Sequence, residues 1–174
     1  LWFLTTYGTT TGQTGHFANK IMQKKGLPFA AYFSAKRPDT WTPTFDLSDL
    51  QKVRRINLNA EQEIDFVIKK IQSRFAGDYM RNKVPTILAK TFYGLEYDAM
   101  RRTSHFKVEN SCIGCGLCAK NCPVSAIEIR NKKPVWVKDR CVMCLSCLHH
   151  CPKFAIQYEN RTKKHGQYTN PNVK

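Results

Sequence analysis

No stretch of the 174-residue sequence approaches the ~18 consecutive apolar residues of a membrane-spanning helix. The opening Leu1-Trp2-Phe3-Leu4 is too short for a signal-peptide core. These absences predict a protein of the cytoplasm with no membrane contact. A start methionine is also missing at Leu1, so the chain is expected to be a processed or trimmed piece of something longer. Acidic residues are scarce, 13 against 28 Lys and Arg, for a formal net charge of +15. From Phe106 onward there are 12 basic and 4 acidic residues; the first 105 hold the other 16 and 9. The surplus therefore belongs to both parts. No side chain reads as a nucleophile or general base, so the chain by itself is not expected to be a catalyst.

Cysteine is missing everywhere except in two short runs. They are Cys112-x-x-Cys115-x-x-Cys118-x-x-x-Cys122-Pro123 and Cys141-x-x-Cys144-x-x-Cys147-x-x-x-Cys151-Pro152. Disulfide scaffolds scatter their cysteines to join distant strands, whereas these are bunched, which argues for a reducing compartment. Zinc sites pair two separated Cys-x-x-Cys units per metal, a poor fit to four cysteines in one tight run. The pattern is the bacterial cysteine run for iron–sulfur clusters, present twice. Two-residue gaps let three sulfurs reach three corners of a cubane from one loop. The fourth cysteine is one residue further on, before a proline that turns the chain aside. That carries its sulfur toward the other cluster. The predicted sets are Cys112, Cys115, Cys118 and Cys151 for cluster one, and Cys141, Cys144, Cys147 and Cys122 for cluster two. Gly114 and Gly116 should let backbone amides approach cluster one. Val142, Met143, Leu145 and Ser146 should shield cluster two. His149 and His150 are expected on the solvated surface.

Each cysteine maps onto its mate by a shift of 29 residues (112 to 141, through 122 to 151), as do Val108 onto Val137 and Ile127 onto Ile156. A duplicated half-domain follows. Residues 127–130 and 135–137 read as a hairpin about Asn131-Lys132-Lys133-Pro134. From Phe106 to about Tyr158 the chain resembles bacterial ferredoxins with two [4Fe-4S] clusters. That resemblance implies a pseudo-twofold α+β fold and low-potential one-electron transfer. With each cluster carrying about −2 charge, the effective net charge is nearer about +11. So basic a surface suggests an acidic redox partner or a phosphate-bearing ligand.

In front, residues 1–7 and 29–33 read as strands, with a helix between them carrying Phe17, Ile21 and Met22 and ending near Gly26. Lys36 to Phe45 reads as a loop. Ser48, with Gln51 three residues on, reads as the capping box of a helix whose apolar stripe runs from Val53 to Phe75 and stops at Gly77. A break near Asn57 to Asn59 is the alternative. Pro85 to Met100 is expected to be another helix.

Thr5-Thr6-Tyr7-Gly8-Thr9-Thr10-Thr11-Gly12-Gln13-Thr14 follows a strand and opens a helix, and two readings compete. In one, Thr9, Thr11, Gly12 and Thr14 belong to a phosphate loop similar to the T-x-T-G-x-T loop of flavodoxins. In the other, a later strand brings Thr5, Thr6, Tyr7 and Gly8 beside a flavin ring. Two visible strands and no glycine-rich third-strand signature favour the second. The layout, with the ending Gln167-Tyr168-Thr169-Asn170-Pro171-Asn172, resembles flavodoxin–ferredoxin fusion proteins of anaerobic microbes.

The expected fold class is α+β: a two-[4Fe-4S] ferredoxin fold preceded by the rear half of an α/β flavodoxin-like domain. The expected divisions are residues 1–78 (partial flavodoxin-like), 79–105 (helical linker), 106–160 (ferredoxin) and 161–174 (extended tail). Two [4Fe-4S] clusters are expected, with FMN as a further cofactor if the front segment contacts flavin. An incomplete sheet would call for a second copy or packing on the cysteine part. The leading function is electron transfer. A basic nucleic-acid binder with structural clusters and a flavin-dependent reductase are the alternatives, although the basic residues form no dense stripe.

Overall fold

The computed structural model describes residues 1–87 and 97–172. The chain divides into two compact units, Leu1–Asp39 with Asp49–Tyr93, and Thr40–Ser48 with Gly94–Lys174.

The first unit is a parallel sheet, β1 (Trp2–Tyr7), β2 (Ala31–Lys36) and β3 (Gly77–Asp78), in the order β1-β2-β3. Helix α1 (Thr14–Gln23) connects the first two strands and α2 (Leu50–Gln72) precedes the third. The second strand lies two to three residues beyond its expected position. Parallel pairing of Trp2↔Ala31 through Tyr7↔Lys36 gives each β1 residue a partner and carries β2 on to Lys36. The third strand, two residues long and without an apolar pattern, had no sequence signature. The sheet therefore has three strands where two were expected.

Helix α2 is unbroken; Asn57 is buried on its inner face beside Ala60 and Val67. The cap is Asp49 rather than Ser48, its carboxylate accepting the Lys52 N–H at 2.9 Å. The helix ends at Gln72, and Arg74 turns the chain at φ +53°, so Gly77 is free to serve β3. The core is Ala31, Phe33 and Val67, with Phe33 stacked on Tyr79 at 5.2 Å. Burying Phe33 completely contributes about 2–3 kcal/mol.

The second unit pairs β4 (Phe106–Val108) with β7 (Ile156–Tyr158), and β5 (Ile127–Arg130) with β6 (Lys133–Trp136), both antiparallel. Short helices α3 (Leu117–Lys120) and α4 (Ser146–His149) follow the two cysteine loops and pack on each other. The 29-residue repeat survives in the backbone. Gly114 and Met143, Gly116 and Leu145, and Ser125 and Phe154 all have positive φ. The hairpin turn is tighter than expected. Asn131 and Lys132, at φ +51° and +61°, make the two-residue turn, and Lys133 and Pro134 belong to β6. Phe106, Met143, Leu145, Leu148, Ile156 and Tyr158 form the core. Phe106 stacks on Trp136 at 4.9 Å and meets Tyr158 edge-on at 5.3 Å.

Two parts of this unit lie outside the cysteine repeat. Residues Thr40–Ser48 bring Trp41 against the core, 6.2 Å from the Tyr158 ring. Near the C-terminus, α5 (Thr162–His165) replaces part of the expected extended tail, and Thr162 is fully buried. Its hydroxyl donates to Gln157 Oε1 and accepts the Tyr158 N–H. Most of the expected Pro85–Met100 helix falls on residues 88–96, outside the described ones.

Candidate metal centres

All eight cysteines are free thiols, and the fold sorts them into two groups of four. One cavity is lined by Cys112, Cys115, Cys118 and Cys151. A second is lined by Cys122, Cys141, Cys144 and Cys147. Three members of each set come from one loop. The fourth arrives from the other half because α3 and α4 each carry the chain across before the proline bend.

Each loop is shaped to present its sulfurs. Positive φ at Gly114 and Gly116 reverses the backbone between successive cysteines. A Cβ at Gly114 would meet the Lys132 carbonyl oxygen at 2.5 Å, so the hairpin turn presses directly on this loop. After each crossing cysteine the chain turns back and donates an amide to that sulfur. Ala126 N–H reaches Cys122 Sγ, and Ala155 N–H reaches Cys151 Sγ, both at 3.2 Å. Met143 N–H approaches Cys141 Sγ at 3.4 Å. Such bonds favour the thiolate, the form that binds metal.

Burial works in the opposite direction. It pushes the Cys147 thiol up to about 12, with the neighbouring Cys144 and Cys141 sulfurs adding to the shift. Burial first, then the same like-charge crowding, raises Cys118 and Cys141 as well. Four thiolates lining one cavity repel one another, and metal binding must release their protons. Among the described residues, no three Cys, His, Asp or Glu side chains converge tightly enough to share one metal ion. A zinc ion would draw its sulfurs to about 2.3 Å from a single centre. Each donor set is four cysteines with no His, Asp or Glu in its lining, the donor chemistry of a [4Fe-4S] group.

The description "4Fe-4S dicluster domain" belongs to the family model that matches residues 111–156. This stretch is a ferredoxin-like iron–sulfur module. Ferredoxin-1 of Rhodospirillum rubrum is 61% identical over 23 residues, 13% of this chain. The chain spans 42% of that relative's length. No solved structure matches the chain.

Around the module, His149 departs from the surface position expected of it. It is buried, its Nε2–H donates to the Thr40 carbonyl at 2.9 Å, and its Nδ1 accepts the Tyr168 N–H at 3.2 Å. Burial lowers its pKa and keeps the ring neutral. His150 is exposed, as expected. Gln167 donates from Nε2 to the carbonyls of Leu148 and Cys151, fastening the tail to the second cysteine loop. Neither contact has a local sequence signal.

The threonine-rich segment lies in the first unit. Thr9 Oγ1 donates to Asp39, Thr10 to the Asn82 carbonyl, Thr11 to the Arg81 carbonyl, and Thr14 to the Thr11 carbonyl. Thr5 Oγ1 donates to the Thr6 carbonyl, and Gln13 donates from Nε2 to the Val84 carbonyl. Tyr7 is buried, while Thr6 is exposed and Gly12 sits at φ +54°. Gly8 packs so closely on Asp39 that any side chain there would collide with it. Among the described residues, no helix is long and apolar enough to cross a membrane.

Proposed function

We propose that this chain is a one-electron carrier that holds two [4Fe-4S] clusters in crossed ligand sets. Cys112, Cys115, Cys118 and Cys151 hold the first, and Cys141, Cys144, Cys147 and Cys122 hold the second. The grouping of the cysteines into two crossed fours is the observation that carries this reading. A bound four-iron cluster supplies low-potential one-electron transfer. The protein supplies the thiolates, the amides directed at them and the apolar walls that tune potential. Helices α3 and α4, one from each half, pack on each other, which suits a relay between neighbouring centres. Free thiols in this number fit a reducing compartment such as the cytoplasm.

Anaerobically purified protein should hold about eight irons. About two metal ions per chain, mostly zinc, would defeat the assignment. Cys122→Ser should lose or distort the second cluster while the first remains, read by iron content and paramagnetic resonance. Loss of the first cluster alone would show that the ligation is not crossed.

A flavin contact by Thr5 to Thr14 is the second reading, favoured by the strand–loop–helix order and the parallel β1-β2-β3 sheet. Against it, the hydroxyls of Thr9, Thr10, Thr11 and Thr14 are already donated within the protein. Stoichiometric FMN in the purified protein would promote this reading and open the way to coupled two-electron chemistry.

A further inference from the structure

The two cysteine cavities differ in what surrounds them. Over the first, Ile113 and Leu117 stand exposed at 58% and 37%, and Ile129 at 36%, all three lining the cavity. Cys115, in the same loop, is exposed as well. Lys153 also lines this cavity, and Lys132 is pressed against Gly114 by the hairpin turn. Lys120 lies one helical turn on from Leu117, on the same side of α3. Lys120, Lys132 and Lys153 are exposed, and among the described residues none of them pairs with a carboxylate.

Around the second cavity the cations are committed. Lys138 donates to the carbonyl of Val124, a lining residue. Arg101 donates to the Cys141 carbonyl at 2.9 Å and, together with Arg140, pairs with Asp98. In its lining Leu145 is buried in the core, and Cys144 is exposed like Cys115. Val142, expected to shield this site, is the one large apolar lining residue that stands exposed, at 42%, against three over the first cavity.

We propose that the face over the first cysteine set is the docking surface for an acidic electron-transfer protein. The proposal rests on the electron-carrier reading above and adds the site and the partner's chemistry. An apolar centre ringed by unpaired cations is the anatomy of a transient protein interface: the apolar residues bury, and the ring steers the encounter. A nucleic acid would be served poorly here, because phosphates call for cations at the centre and the centre is Ile113, Leu117 and Ile129. An acidic protein places carboxylates on the ring and brings its own redox group toward the exposed loop.

The test uses the iron-loaded chain and an acidic FMN-loaded flavodoxin as probe. Two readouts are taken: the dissociation constant by calorimetry, and the second-order rate of flavodoxin reduction by the reduced chain. The Lys120→Glu, Lys132→Glu, Lys153→Glu triple variant should bind about tenfold or more weakly at low ionic strength and react correspondingly more slowly. A control of equal charge change in the first unit, Lys20→Glu, Lys24→Glu, Lys25→Glu, should shift either readout less than about twofold. If the docking triple loses iron, the Lys→Gln triple replaces it, with a smaller loss in the same direction.

Equal weakening by both triples would reduce the effect to net charge and overturn the proposal. No binding by the wild type, or no change in the docking triple, would also overturn it. A short DNA duplex that binds at physiological salt, and is lost in the docking triple, would reassign the face to nucleic acid. Failure of the electron-carrier reading looks different: a chain that lacks iron, or that is not reduced by dithionite, whatever its affinity for flavodoxin.

Discussion

At Gly114 a single methyl group would meet two penalties. The left-handed backbone costs a side-chain residue about 1–2 kcal/mol, and the added carbon would lie 2.5 Å from the Lys132 carbonyl oxygen. Gly116 shares the first penalty only, since its nearest neighbour would be Ile129 Cγ1 at 3.9 Å. Gly116→Ala should therefore lower stability by about 1 kcal/mol and leave iron content intact. Gly114→Ala should cost at least twice that and release iron from the first set, measured by denaturation and iron analysis. The mates of these glycines in the second loop are Met143 and Leu145, which hold the same left-handed conformation with side chains. There the strain is offset by burial, for both are part of the core.

Among the elements, the cysteine loops were the most legible in sequence, because a thiolate-bound cluster imposes its own spacing whatever surrounds it. The hairpin was legible in outline from Asn131 and the flanking strands. Its register was not, since the Pro134 that suggested a turn is tolerated in β6 opposite Ile129. Helix α2 was readable along its apolar stripe because 3.6-residue periodicity is a local property. Its first residue was not: both Ser48 and Asp49 can cap, and only the fold decides which oxygen faces the Lys52 amide. Asp49→Ala should destabilise by about 1 kcal/mol, while Ser48→Ala should change stability by only a few tenths, both read from urea melts. Strand β3 left no trace because two residues carry no period.

For the whole molecule, the boundary between units was the least legible feature. Residues Thr40–Ser48, which the sequence presents as a loop between a strand and a helix, belong to the second unit. The Thr40 and Thr42 carbonyls accept hydrogen bonds from His149 and His165, and Leu47 N–H reaches the His165 carbonyl at 2.8 Å. Local pattern cannot announce such contacts, because their partners lie more than a hundred residues away. Trp41→Ala should destabilise the second unit by about 2–3 kcal/mol and hasten iron loss, followed as bleaching of cluster absorbance under chelator. A Trp41 change that left chelation kinetics untouched would show that this packing contributes little.

The nine residues from Thr40 to Ser48 also bear on how such a module can be reused. A gene fragment beginning at residue 106 would encode every cysteine, yet it would omit Trp41 and the two carbonyls that hold His149 and His165. The iron-binding half is thus no portable cassette. Any recombination that transplants it must bring along a stretch encoded some sixty residues upstream, inside the crossover between β2 and α2.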